Sequence, residues 1–204
     1  VGEYGENFEE KRKNGENDNY ICELIRNDSI VEFISHINKA NIPLNTNIKP
    51  SIFETNTFLL KNQPTLIEYA AFFGSIQIFK YLNNNNIELT PSLWPYAIHS
   101  FNQELIGLLL EKGVKPLNES FLECSLNAIS CHNNELFEYI QNNLVNDTEK
   151  NDEKIVSKII KCYNFAILDH HLINQSTFFD LCQYDYYYLV KLLMNDVDLN
   201  LPVE

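Results

Sequence analysis

Glycine is scarce in this chain of 204 residues: there are six, and three of them fall before residue 16. A loop that cradles phosphate is hard to build from what remains, and no Walker A, G-x-G-x-x-G or G-x-S-x-G motif is present. No run of about 18 apolar residues occurs, so no spanning helix is read and membrane insertion is not expected. The N-terminal stretch has no apolar segment of signal-peptide type, and the chain starts at Val1 without a methionine, so its true start is expected to lie upstream. Basic residues are outnumbered, 15 against 28 acidic, for a net charge of -13. Such a surface repels nucleic acid and anionic membrane. Solubility is the ordinary reading of that charge, and a basic protein partner is the sharper one. The five cysteines, Cys22, Cys124, Cys131, Cys162 and Cys182, are odd in number and irregular in spacing. They read as free, mostly buried thiols in a reducing, cytoplasmic compartment rather than as a disulfide framework.

Asparagine, by contrast, is about one residue in seven, including the run Asn83 to Asn86. The N-x-S/T sequons at Asn27, Asn118, Asn146 and Asn174 follow from that abundance by chance and carry no weight. Apolar residues make up 45% of the chain, enough for a real core.

The most informative feature is an internal echo. Thr65 to Thr90 is nearly repeated by Ser92 to Leu117: at a spacing of 27, Ala70 falls on Ala97, Gly74 on Phe101, Leu82 on Leu109 and Asn86 on Gly113. A third copy, Ala128 to Phe137, lies 31 residues beyond Ala97 to Ile106. Self-similarity at a fixed period is the signature of stacked repeats, each too small to bury its own apolar face. Such a stack makes a surface for binding before it makes a catalytic cavity.

Within the repeats the apolar spacing is helical. Tyr20 to Ile25 opens one helix, and Ile30, Val31, Phe33, Ile34 and Ile37 share one face of a second. Residues 1–18 are polar and charged, and a frayed, flexible arm is expected there. Residues 40–63, broken by Pro43, Pro50 and Pro64, read as a connection with one short helix. Thr65-Leu66-Ile67-Glu68 is a capping box that opens a helix running to Phe73, with Gly74 in the turn and a second helix from Ile76 to Asn83. Ser92 takes the capping place in the next copy, which makes Pro95 the third helical residue, where no intrahelical bond is lost. Ser120-Phe121-Leu122-Glu123 supplies another capping box. Beyond a polar linker at 146–152, Ile155, Val156, Ile159, Ile160 and Tyr163 fall on one face, and a final pair spans 176–194. The fold expected is all-α: a solenoid of helix-turn-helix repeats, with units at about 19–39, 64–90, 91–117, 120–145 and 153–200.

These residues resemble the ankyrin repeat. Thr65 matches the threonine of the family pattern, Ala70-Ala71 its small pair, Gly74 its first glycine, Ile78 its valine, Tyr81-Leu82 its leucine pair and Thr90 its closing asparagine. Leu189 to Met194 followed by Val197-Asp198-Leu199-Asn200 shows the other half of the pattern. The period is shorter than about 33 residues, which implies that the hairpin finger between repeats is cut to a turn. Glu68 and Pro95 stand where the family has histidine, and Ile98 and Ile129 replace its second alanine. As a whole the chain looks like the divergent, Asn-rich ankyrin-type proteins of some parasitic protists, in which such a module precedes regular repeats. The resemblance implies a monomeric protein-interaction scaffold without catalysis or cofactor, continuing past Glu204. The alternative is a module that caps or anchors a longer array.

Repeat geometry in that family places the variable residues after the alanine pair on the binding face. By position these are Phe72 and Phe73, His99 and Ser100, Ser130 and Cys131, and Gln183 and Tyr184, with Trp94 beside the face or in the adjoining core. The competing reading for the phenylalanines is that they fill space against the next repeat. For the tyrosine group Tyr184, Tyr186, Tyr187 and Tyr188, at least two are expected to pack between the last two helices. A metal-dependent enzyme or regulator is the rival class. Its candidates are Cys124, Cys131 and His132, and Cys162, His170, His171 and Cys182. Neither set has the C-x2-C or H-x3-H spacing of a zinc site, and sequence neighbours on a helix point about 100° apart. No metal and no catalytic residue is therefore assigned.

Overall fold

The computed structural model describes residues 7–168 and 175–193. It is all-α: among the described residues there are thirteen α-helices and two 3-10 turns, with no strand and one isolated antiparallel bridge between Asn47 and Thr65. The chain divides into two compact units, Val1–Lys115 and Pro116–Glu204.

In the first unit the helices are α1 (Phe8–Asn14), α2 (Tyr20–Arg26), α3 (Ile30–Ala40), α4 (Thr57–Asn62), α5 (Leu66–Phe73), α6 (Ile76–Asn84), α7 (Leu93–His99) and α8 (Gln103–Glu111). They form pairs, α2 with α3, α5 with α6 and α7 with α8, and the first helix of each pair packs on the next, α2 on α5 and α5 on α7. Ala70 and Ala97 are fully buried where α5 meets α7, and small side chains at that place let two helix backbones come close. The second unit holds a 3-10 turn (Leu117–Glu119), α9 (Leu122–Ser130), α10 (Asn134–Asn143), α11 (Asp152–Lys161), a second 3-10 turn (Phe165–Ile167), α12 (Gln175–Gln183) and α13 (Tyr187–Leu193). Here α9 packs on α11 and α11 on α12. Ile129, Ile155 and Ile159 form one core cluster, and Val156, Ile160 and Leu181 another.

One backbone device ends the first helix of every pair. Asp28, Gly74, Phe101, His132, Tyr163 and Asp185 all adopt positive φ. The amide that follows reaches back five residues: Ser29 to Leu24, Ser75 to Ala70, Asn133 to Ala128, Asn164 to Ile159 and Tyr186 to Leu181, all at 2.9–3.0 Å. This is the six-to-one bond of a left-handed helix stop, which satisfies carbonyls that the helix end would leave orphaned. At Phe101 the amide of Asn102 bonds to the Ser100 hydroxyl instead, 3.1 Å away. The equivalence of these turns puts Leu24, Ala70, Ala97, Ala128, Ile159 and Leu181 in one register, and all six are buried.

Several sequence expectations are met. The Thr65–Glu68 capping box is present in both directions, the Thr65 amide donating to Glu68 at 2.8 Å and the Glu68 amide to the Thr65 hydroxyl at 3.4 Å. Pro95 is the third residue of α7. The short helix expected within 40–63 is α4.

Others are corrected. Residues 7–18 are not a frayed arm. They form α1 and a strap, in which the Gly15 carbonyl accepts from the Thr55 amide and hydroxyl, Phe8 meets Phe53 edge-on, and the buried Asn17 amide donates to the Lys49 carbonyl at 2.8 Å. Polar groups that satisfy one another hold this segment, and an apolar pattern does not reveal them. Ser92 does not cap α7: it is itself in helical conformation, and its hydroxyl donates to Glu68 at 2.6 Å. Ser120 accepts from the Leu122 amide at 3.3 Å, but no reciprocal capping box forms with Glu123. Tyr163 is not on the apolar face of α11, because it occupies the left-handed turn after that helix and is exposed. The expectations for residues 1–6, for His170 and His171, and for the closing segment Val197 to Asn200 lie outside the described residues.

Candidate functional site

In the first unit the ends of α5 and α7 bring together three of the residues chosen from repeat geometry. Phe72, Phe73 and His99 are each half-buried. Phe72 lies 5.0 Å from Phe73 and 5.1 Å from His99 between ring centroids, and Phe73 rests on the buried Tyr69 at 4.8 Å. They are a continuous aromatic surface, with Tyr69 packed against Phe73. Neither phenylalanine is fully buried, so each keeps an exposed part, while Phe72 also packs against His99 of the next helix pair, as the space-filling reading has it.

A member of the cluster that pattern reading missed is Phe58, from α4. Its ring stacks on Phe72 at 5.9 Å with only 16° between the planes, and meets His99 at 4.5 Å and Tyr96 at 5.0 Å. The one sequence signal is local: Asn56, as a helix cap, accepts from the amides of Phe58 and Leu59 at 3.0 and 3.2 Å, which fixes where α4 begins. Nothing in the pattern says on what Phe58 lands.

The electrostatics of the cluster are those of a partly dry site. Burial pushes the pKa of His99 below its ordinary value, since the charged imidazolium loses water. Burial likewise raises the Tyr96 phenol, helped by the nearby Glu68 charge. At neutral pH both groups are uncharged, and the cluster presents rings with no cation of its own to repel a basic partner.

The remaining chosen residues fare differently. Of the two places expected for Trp94, beside the face or in the adjoining core, it takes the second: it is 1% exposed, and its indole N–H donates to the Val114 carbonyl at 2.9 Å. Ser100 is half-exposed, but its hydroxyl is committed to the helix end, donating to the Ala97 carbonyl at 2.7 Å while accepting from Asn102. In the second unit Ser130 is exposed at the end of α9, and its hydroxyl donates to the Leu126 carbonyl at 3.0 Å. Cys131 is half-buried, and its thiol pKa is pushed up to about 11 by burial, so it is not an activated nucleophile. Cys22 and Cys124 are buried and are pushed up to about 12 for the same reason. Gln183 and Tyr184 are exposed at the end of α12.

Of the four tyrosines only Tyr186 packs. Its hydroxyl donates to the Ile160 carbonyl at 2.7 Å, and its ring meets Tyr163 and Phe165. Tyr187 and Tyr188 are 61% and 80% exposed and touch each other edge-on. The expectation of two packed tyrosines is not met: Tyr184 is 36% exposed and only borders Tyr186, at 6.5 Å, and Tyr187 and Tyr188 lie outside the packing.

Among the described residues no group of three or more His, Cys, Asp or Glu side chains is gathered as metal ligands would be, and no helix is long and apolar enough to cross a membrane. An open groove of about 430 Å³ runs beside α2 and α3, lined by Tyr20, His36, Ile42, Pro43, Ile48 and Leu66 among others. It gathers none of the residues chosen from the repeats. Charge is uneven along the chain: residues 116–204 carry fourteen acidic and five basic residues, whereas residues 1–115 carry fourteen and ten.

Compared with known proteins, the chain matches no family model, no curated protein and no solved structure.

Proposed function

We propose that the protein is a protein-interaction scaffold of the ankyrin type, without catalytic activity, whose partner docks on Phe72, Phe73 and His99. The observation that carries this reading is the half-buried ring cluster at the ends of two successive first helices. These are the positions at which an ankyrin-type repeat presents its variable residues. Support also comes from the order of packing, α2 on α5 on α7, and from the alanines that hold α5 against α7.

The physical basis is preorganisation. Rings locked between helix ends lose little freedom on binding, so most of the burial energy goes into affinity. Covering what is still exposed of one phenylalanine, at most about 70 Å², contributes up to about 2 kcal/mol. Two or three such rings make a compact hot spot. The net charge of -13 steers a basic partner toward the protein and speeds encounter more than it adds affinity.

The test is site-directed photo-crosslinking in cell extract, with a photoreactive phenylalanine analogue placed at Phe73 or, as a control, at the exposed Val31. Discrete adducts from position 73 and none from position 31 are expected. Equal labelling from both, or none from position 73, would count against the reading.

A further inference from the structure

We infer that the face made by Phe72, Phe73 and His99 receives a short helix with an aromatic anchor, and that α4 occupies this place within the same chain. The inference rests on the reading of that face as the partner site, and it adds what kind of partner fits. Phe58 lies against Phe72 nearly parallel and meets His99 at 4.5 Å, so it covers two of the three residues that a partner would have to touch.

Three features mark α4 as an occupant rather than part of the helix stack. It comes from the long connection between the first two helix pairs, residues 41–64, which the connection between α6 and α7 does not match. It is six residues long, too short to hold its shape alone, and depends on the Asn56 cap and on contacts made by Phe58 and Leu59. Both ends leave it through irregular backbone, Ser51 to Glu54 before it and Gln63, at positive φ, after it. Its outer side carries Leu60 and Lys61, both exposed. The partner that fits is therefore a short, N-capped helix with an aromatic residue in its first turn beside an aliphatic one. It would take the face by displacing α4.

The experiment uses the segment itself as probe. A fluorescent peptide of residues 54–64 is titrated into the full chain and into its Phe58→Ala variant, with binding read by anisotropy. The opened variant is expected to bind at least tenfold more tightly than the unchanged chain. A peptide carrying Phe58→Ala should not bind, and adding Phe72→Ala to the opened chain should abolish binding. Equal binding by the two chains, or none by an opened chain that keeps its helical circular dichroism, overturns the inference. Should Phe58→Ala fail to fold, Asn56→Ala removes the helix cap and leaves the ring in place. It is expected to bind the peptide more tightly than the unchanged chain, and failure to do so overturns the inference equally. Crosslinking from position 73 without peptide binding would remove the inference and leave the scaffold reading standing. Peptide binding without crosslinking would show that the face takes α4 alone, and would remove the partner from both readings.

Discussion

At residue 74 the chain needs a backbone angle that glycine supplies without cost, and at residue 101 it takes the same angle with a phenylalanine. Gly74 sits at φ 67, and a Cβ there would stand 3.2 Å from the Asn102 side chain. Gly74→Ala should therefore destabilise the protein by about 1–2 kcal/mol. Phe101 holds φ 54 with its side chain 57% exposed. Phe101→Gly should stabilise by about 0.5–1 kcal/mol, the relief of the left-handed angle less the entropy that glycine adds to the unfolded chain. Opposite shifts of the urea midpoint for the two variants check the pair. His99 gives a pH dependence of definite sign. Its folded pKa lies below the ordinary value, so in the window beneath about pH 6.5 the unfolded chain binds the proton more readily. The stability contributed by keeping it neutral is complete above that pH and is lost as the pH falls toward the folded value. The melting temperature should drop between pH 7.5 and 5.5, and His99→Gln should flatten the drop. An unchanged slope in that variant would assign the effect elsewhere.

Helix starts show what local pattern can and cannot tell. Thr65→Ala removes a cap that the Glu68 amide uses and should cost about 1 kcal/mol. Ser92→Ala should cost less than about 0.5 kcal/mol, because Ser92 caps nothing and its hydroxyl bonds Glu68 and the Thr90 hydroxyl on the exposed surface. Thermal melts of the two variants compare them directly. Both residues look like caps in the sequence. The difference is that the backbone turns helical at Pro91, whose carbonyl accepts from the Trp94 amide, one step before Ser92 could act. The helix pairs themselves were legible, since the apolar period and the echo of Ala70 at Ala97 and Ala128 report burial, and burial is what those helices share. Phe72, Phe73 and His99 could be chosen because they keep a fixed place relative to those alanines. Phe58 could not, since its partners are set by where a connection folds back. The strap of residues 7–18 was hidden for the same reason, being held by Asn17, Asp18 and Gly15 rather than by a periodic apolar face.

For the whole molecule, packing between neighbours makes stability a sum of local terms. In the second unit Leu181 closes the cluster of Val156 and Ile160, and Leu189 and Val190 pack against it. Deleting residues 176–204 should expose Ile160 and Leu168 and lower the melting temperature, while the helical signal of α1 to α8 remains. Loss of all helicity in one step would contradict additive packing. The concentration of acidic charge in residues 116–204 should make that unit the more responsive to added salt, which screens self-repulsion.

Asn102 is a latch with two working atoms. Its amide nitrogen donates to the Gly74 carbonyl at 3.0 Å, and its amide oxygen accepts from the Leu105 amide at 3.2 Å. Asparagine side chains hydrolyse to carboxylates as proteins age, faster with heat. At an exposed residue such as Asn142 the exchange of one atom changes only surface charge. At Asn102 it would set an anionic oxygen against a carbonyl oxygen and open the join between two helix pairs. A chain this rich in asparagine thus carries sites at which chemical age becomes structural damage: Asn102 is one, and Asn17 and Asn164, whose side-chain amides donate to the Lys49 and Ile129 carbonyls, are others.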